Sequence, residues 1–215
     1  MPEPLGVTPI STVQRLSVYL RTLKEAKSEG ADFISSIEIA ERNGFTSAQV
    51  RKDLSCFGSF GKKGKGYNID SLIASLEYII GLGKPWRVAL IGLGHLGEAL
   101  VGHKGFHRSG FDIVAIFDID REKIGTEHNG IPVYNPAILM EIAEQKNIQI
   151  AVIAVPTESA KRAIQEVIDA GIKGILSFSE VRVPMPKGFV LKNVNLAAEL
   201  ETICFYLTSP EWQCR

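Results

Sequence analysis

Apolar positions along this chain keep two rhythms. In the first third they recur every three or four residues: Val13, Leu16, Leu20 and Leu23 share one helical face, with Thr12 ahead of them as a candidate cap and Gly30 beyond as a stop. "SSIEIAERNG" sets Ser35 and Glu38 at capping-box spacing and ends on Gly44. "TSAQVRKDLSCF" repeats the device with Thr46 and Gln49. Two short helices joined by little more than "NGF" have helix-turn-helix spacing. "FGSFGKKGKGYNI" then sets glycines at 58, 61, 64 and 66 between strand-forming flanks, which predicts a hairpin with a tight tip. "DSLIASLEYIIGLG" predicts a closing helix with Leu72, Leu76 and Ile79 or Ile80 inward. Three helices followed by a hairpin make a winged helix.

After "GLGKPW" the rhythm changes. "WRVALIG", "DIVAIFD", "GIPVYN", "IQIAVIAVP", "KGILSFS" and "VLKNVNL" read as strands, and helical segments such as "PAILMEIAEQKN" and "ESAKRAIQEVIDAG" separate several of them. That alternation predicts a mostly parallel sheet with helices on both faces. The expected fold is α/β: a winged helix-turn-helix domain over 1–83, a Rossmann-like domain over 84–195, and a C-terminal helix and tail over 196–215.

Composition narrows the class. A chain of 215 residues suffices for two small domains with their own cores. No apolar run approaches the roughly 18–20 residues that cross a bilayer, and "MPEPLGVTP" lacks the parts of a signal peptide. Cys56, Cys204 and Cys214 are odd in number and show no metal-ligand spacing, so a reduced cytoplasm and no metal are expected.

The formal net charge is zero, yet Arg42, Arg51, Lys52, Lys62, Lys63 and Lys65 gather between residues 42 and 67 against Asp53 alone. Such a patch suits a polyanion. On a helical wheel Val50, Leu54 and Phe57 face inward, while Arg51, Lys52 and Ser55 look outward with Gln49 near the edge. Asp53 falls toward the inner margin and is expected to anchor the fold. A winged helix puts one helix in the major groove and its wing on phosphate. The candidate contacts with double-stranded DNA are Ser47, Gln49, Arg51, Lys52, Ser55, Lys62, Lys63, Lys65 and Tyr67. Cys56 reads as a small residue packed at the helix flank.

"GLGHLG" follows a strand and opens a helix. Gly92 serves the turn, Gly94 the close approach of backbone to a pyrophosphate, and Gly97 helix-to-strand packing. Asp118 lies about 20 residues beyond Gly97, where the motif expects an acid for the ribose hydroxyls. A carboxylate there favours NAD(H) over its 2′-phosphorylated relative. The candidate cofactor residues are Gly92, Leu93, Gly94, His95, Leu96, Gly97, Asp118, Ile119 and His103. His95 reads as steadying a pyrophosphate, His103 shows no partner acid, and little chain remains for a substrate domain, so catalysis is not expected. A nucleotide-dependent enzyme with a helical docking module, or a site for coenzyme A, stays open as an alternative.

"QVRKDLSCFGSFGKKGKGYNI", "GLGHLGEAL", "FDIDREKIG", "VIAVP" and "AGIKGIL" occur in the order seen in the Rex redox-sensing transcriptional repressors, and the chain resembles that family from about Thr12 to Trp212. The resemblance implies a homodimer on a palindromic operator, with repression relieved by NADH, Pro156 beside the cofactor, and "AAELETICFYL" as a helix crossing to the partner. It also implies that Arg15 and the residue at 195 couple cofactor state to domain orientation. The chain departs from the family pattern at Cys56, His103, Ser177 and Asn195. Asn195 stands where an aspartate is usual, which removes a charge from that coupling and implies an altered discrimination between NADH and NAD⁺.

Overall fold

The computed structural model describes residues 9–62 and 64–208. Contacts divide the chain into two compact units, Met1–Lys84 and Pro85–Arg215.

In the first unit, α1 (Ile10–Ser28), β1 (Phe33–Ile34), α2 (Ser36–Asn43) and α3 (Ser47–Ser55) precede a hairpin of β2 (Gly61–Lys62) and β3 (Gly66–Asn68), and α4 (Ile69–Ile80) closes the unit. The three strands form an antiparallel sheet in the order β1-β3-β2. Leu16, Tyr19, Leu20, Leu23, Val50, Leu54, Leu72 and Leu76 build its core. Val13 lies outside that core, 40 % exposed, and Tyr19 occupies the inward face in its place.

Helix ends follow the sequence with two differences. The α1 helix starts at Ile10 behind Pro9, so Thr12 is no cap; it is buried in the first turn against Asp53. Each capping box is half used. Ser35 Oγ accepts from Glu38 N and Thr46 Oγ1 from Gln49 N, but the Glu38 side chain takes Arg42 and the Gln49 side chain takes Asp53. In both cases an ionic partner offers more than a backbone amide. Gly44 ends α2 in the left-handed conformation, as its position predicts.

The second unit holds β4 (Trp86–Ile91), α5 (His95–Val101), α6 (Lys104–Arg108), β5 (Phe111–Phe117), β6 (Glu127–His128), β7 (Ile131–Tyr134), α7 (Leu139–Gln145), β8 (Ile150–Ile153), α8 (Thr157–Asp169), β9 (Gly174–Ser177), β10 (Val190–Asn193) and α9 (Leu196–Thr208). The sheet order is β10-β9-β8-β4-β5-β7-β6, parallel except for β6. Leaving β6 aside, this is the doubly wound order of dinucleotide-binding domains. The β6 edge strand was not visible in the sequence: two residues carry no periodicity. Period-two alternation sends Ala89, Ile91, Ala115, Phe117, Ala151 and Ile153 to the face covered by α7 and α8, and Val88, Leu90, Ile116 and Val152 to the other. Among the described residues no helix is long and apolar enough to cross a membrane.

One buried carboxylate ties the first unit together. Asp53, 2 % exposed, accepts from Arg15 Nε at 2.6 Å and Nη2 at 2.8 Å, from Tyr19 Oη at 2.8 Å and from Gln49 Nε2 at 2.8 Å. Burial alone would raise its carboxyl, but the Arg15 guanidinium, the Tyr19 hydroxyl and the Gln49 amide together hold it below its ordinary value. Burial and the bond to Asp53 push the Tyr19 hydroxyl the other way, well up.

A carboxyl depressed on folding adds stability in full above its unfolded value, and that contribution is lost as pH falls through the lower folded value. Acid should therefore loosen this unit below a pH of about 4, and Asp53→Asn should lack that component in urea denaturation followed against pH. Asp53→Ala leaves a part-buried guanidinium uncompensated and should destabilise the unit by about 3–5 kcal/mol.

Candidate nucleic-acid interface and dinucleotide site

The basic surface is built on α3 and the wing. Arg51, Lys52 and Ser55 are exposed on the outer face of α3, with Ser47 half-buried in its first turn. Arg51 Nη1 donates to Ser36 Oγ at 3.0 Å, so α2 steadies its guanidinium. Gln49 does not look outward. Its amide is drawn to Asp53, four residues on, because a buried carboxylate is the stronger acceptor within reach. Cys56 is exposed, not packed; it caps the end of α3, and its thiol lies 3.3 Å from the Lys52 carbonyl oxygen.

The wing depends on Gly66, whose φ is 77° and whose added Cβ would stand 2.5 Å from the Ile34 carbonyl oxygen. Lys65 is exposed there, its ammonium 4.6 Å from the centre of the Phe33 ring. Tyr67 is half-buried; its ring would meet a Cβ at Gly61 at 3.0 Å, so it packs the base of the wing, and burial raises its hydroxyl. Lys62 pairs through its backbone with Gly66. Lys63 lies outside the described residues.

In the second unit a cleft of about 680 Å³ opens at the C-terminal ends of β4, β5 and β8. The chain runs from β4 to β5 and β7 on one side, then crosses to β8 on the other. Adjacent connections therefore leave in opposite directions and open a crevice. Of the residues named from sequence, Gly92, Gly94, Asp118, Ile119 and Pro156 line it. Gly92 has φ 98°, and a Cβ there would meet Val155 Cγ1 at 2.7 Å and the Ala154 carbonyl oxygen at 2.8 Å. A Cβ on Gly97 would collide with the Gly92 carbonyl oxygen, whereas Gly94 has open space beside it. The three glycines thus take the separate roles their spacing predicts.

The remaining named residues stand around the cleft rather than in it. Leu93 is buried behind the loop, Gly97 packs under it, and His95 and Leu96 are exposed on the first turn of α5. His103 is exposed at the start of α6, edge-on to Phe106 with ring centres 5.4 Å apart. The first helix, α5, ends at Gly102, and His103 stands in the N-cap position of the second short helix, α6. Asp118 Oδ2 accepts from Leu93 N at 2.6 Å and Oδ1 from Asp120 N at 2.8 Å. Lys123, Asn135, Ser159 and Arg162 also line the cleft and were missed. A lysine after a turn carries no signal of its own. Asn135 did carry one, as a side-chain cap before Pro136.

Ser177 is fully buried and exchanges two hydrogen bonds with the Ser179 backbone, and Ser179 Oγ donates to the Val155 carbonyl at 2.6 Å. The turn after β9 is thereby tied to the cleft wall. Asn195 caps α9 by accepting from Ala198 N, and its amide donates to Glu180 Oε2 at 3.0 Å. A carboxylate therefore lies beside the position whose charge the sequence comparison found missing. Arg15 is held by Asp53. No helix α9 residue is buried; Leu196, Leu200, Ile203, Phe205, Tyr206 and Leu207 are all exposed.

Comparison with known proteins agrees with this division. Residues 8–55 match the family described as "Putative DNA-binding protein N-terminus" and residues 83–181 the "CoA binding domain" family. The redox-sensing transcriptional repressor Rex of Pelotomaculum thermopropionicum is 42% identical over 205 residues, 95% of this chain and 96% of that protein. Rex of Desulfitobacterium hafniense is 44% identical over 197 residues, 92% of this chain and 94% of that one. The crystal structure of RSP in complex with β-NAD⁺ and operator DNA superposes with a TM-score of 0.89 at 32% identity, covering 96% of this chain and 95% of that one. RSP in complex with β-NADH superposes at 0.85 and 30% identity, covering 96% and 97%.

Gly97→Ala drives a methyl group into the Gly92 carbonyl and should distort the loop by about 1–3 kcal/mol. Titration of NADH fluorescence should then show affinity at least about fivefold weaker than in the parent chain.

Proposed function

Because the chain belongs to the Rex family of redox-sensing transcriptional repressors, we propose that it binds operator DNA through α3 and the wing under the control of a nicotinamide dinucleotide held in the second unit. The observation that carries this reading is the pairing, in one chain, of a basic winged helix with a glycine-loop cleft closed by Asp118. The Asp118 carboxylate would accept from the adenosine ribose hydroxyls and repel a 2′-phosphate, which supports NAD(H). The relatives that bind NAD⁺ with operator DNA, and NADH, support the same assignment.

On DNA, Arg51 has the length and planarity to read a guanine edge in the major groove, with Ser47, Lys52 and Ser55 around it. Lys62, Lys63 and Lys65 on the wing would neutralise phosphates and add affinity independent of sequence. Gln49 would take part by fixing α3 through Asp53, and Tyr67 by packing the wing. The protein acts as a homodimer on a palindromic site in the cytoplasm. In support of the dimer, α9 carries six large apolar side chains exposed in the single chain, a surface that a second copy would cover. Residues 196–215 would then form the dimerisation segment that follows the winged-helix and dinucleotide domains.

Coupling between the sites runs through Arg15 and the region of Asn195. The loss of charge at 195 is offset by Glu180, which Asn195 holds at 3.0 Å, so NADH still relieves repression. A ligand shifts such an equilibrium only by its differential affinity for the two states.

Gel shifts on a palindromic operator library should show tight binding without ligand or with NAD⁺ and release by NADH. No shift on any duplex at low salt refutes the reading. Lys65→Ala should weaken binding to all sequences and lower its salt dependence, whereas Arg51→Ala should relax specificity at one base position by about 1–3 kcal/mol. Glu180→Gln should reduce the ratio between NAD⁺- and NADH-bound operator affinities while leaving affinity for either dinucleotide in place.

A further inference from the structure

The turn that follows β5 grips one residue of the glycine loop at both ends. Asp118 Oδ2 accepts from Leu93 N at 2.6 Å, and Lys123 Nζ donates to the Leu93 carbonyl oxygen at 2.7 Å. The two side chains belong to one rigid turn: Asp120 N donates to Asp118 Oδ1, Glu122 N to Asp120 Oδ1, and Lys123 N and Ile124 N to the Asp120 carbonyl. Gly125 N closes it onto the Val133 carbonyl. Gly92 N, just ahead, donates to the Phe117 carbonyl. Residue 93 is therefore fixed at its N–H by one end of the turn and at its C=O by the other.

The Leu93–Gly94 peptide is planar and trans, so its C=O and N–H point in opposite directions. With the Leu93 carbonyl held toward Lys123, the Gly94 N–H is turned away from it. Among the described residues that N–H meets no acceptor, while the Gly94 carbonyl already accepts from Glu98 N. Gly94 lines the cleft and has open space beside its Cα. An amide N–H left unpaired on the one stretch of loop where a ligand can approach closely is a ready donor to an anionic oxygen.

We propose that Lys123 is a positioning residue for the dinucleotide. By holding the Leu93 carbonyl it orients the Leu93–Gly94 peptide so that the Gly94 N–H is presented to the pyrophosphate. Asp118 and Lys123 then make ribose recognition and phosphate recognition properties of one turn. Asp118 meets the sugar, and Lys123, through residue 93, sets the donor for the phosphates. The inference rests on the dinucleotide reading of the cleft, and it assigns Lys123 a task that neither the glycine pattern nor the acid after β5 implies.

The test compares NADH with adenosine, which has the ribose but no phosphate, on the full-length chain. The parent protein must first bind NADH; if it does not, the reading of the cleft fails and not the role of Lys123. Lys123→Met should weaken NADH by about tenfold or more, the loss expected for a charge-assisted hydrogen bond, while displacement by adenosine and the melting temperature without ligand stay as in the parent. Lys123→Arg, which keeps a charged donor in reach of the carbonyl, should recover most of the NADH affinity. The ratio between parent and Lys123→Met should hold at low and at high salt. Equal weakening of adenosine and NADH, a fall in the ligand-free melting temperature, or a ratio that collapses in high salt overturns the proposal. The first two outcomes make Lys123 a general brace, and the third makes it a screened attraction for phosphate.

Discussion

The Asp53 carboxylate is the constraint on which the DNA-facing half depends. A charge that deep in a small helical unit is unfavourable unless donors surround it. Here a guanidinium, a phenol and an amide converge on it from α1 and from α3 itself. The result is directional in a way that apolar packing is not. Leu and Val contacts would let α3 slide or roll by small amounts on α1, but two oxygens with four short hydrogen bonds permit one setting. The exposed row of Arg51, Lys52 and Ser55 inherits its orientation from that buried point. Function at the surface is thus decided by a charge beneath it.

A comparable economy governs the dinucleotide half. The doubly wound order forces a crevice where the connections leaving the neighbouring strands β4 and β8 part, and the glycines let the backbone pass through it without side chains in the way. What the crevice then presents is set by the turn after β5, whose acid and base hold opposite ends of one residue. Both halves use the same principle: a charged side chain oriented by several hydrogen bonds fixes a backbone or helix that does the contacting.

Asn195 is a position that short-range reasoning handles poorly. Asn195 by itself reads as a lost charge. Beside Glu180 it reads as a charge moved by one side chain, because an amide can hold a carboxylate where a second carboxylate would repel it. The departure at 195 and the glutamate at 180 are intelligible only as a pair, and they are 15 residues apart in the chain.

Much of this was legible in the order of residues alone. The helical spacing from Leu16 to Leu23, the left-handed stop at Gly44, the apolar runs from Trp86 onward and the glycine triplet all act over a turn or two of backbone, so local patterns suffice to read them. Asp53 was legible too, as the one acid on the inner side of a basic helix. Tertiary structure decided what distance in sequence conceals. Arg15 and Tyr19 gather on Asp53 from another helix, Thr12 is a buried partner and not a cap, and Lys123 reaches a carbonyl 30 residues away. Hydrophobic periodicity reports which face of an element is buried, since burial needs only an average environment. Which donor meets which acceptor depends on ångström-scale placement of separate elements, and that exists only once the chain has folded.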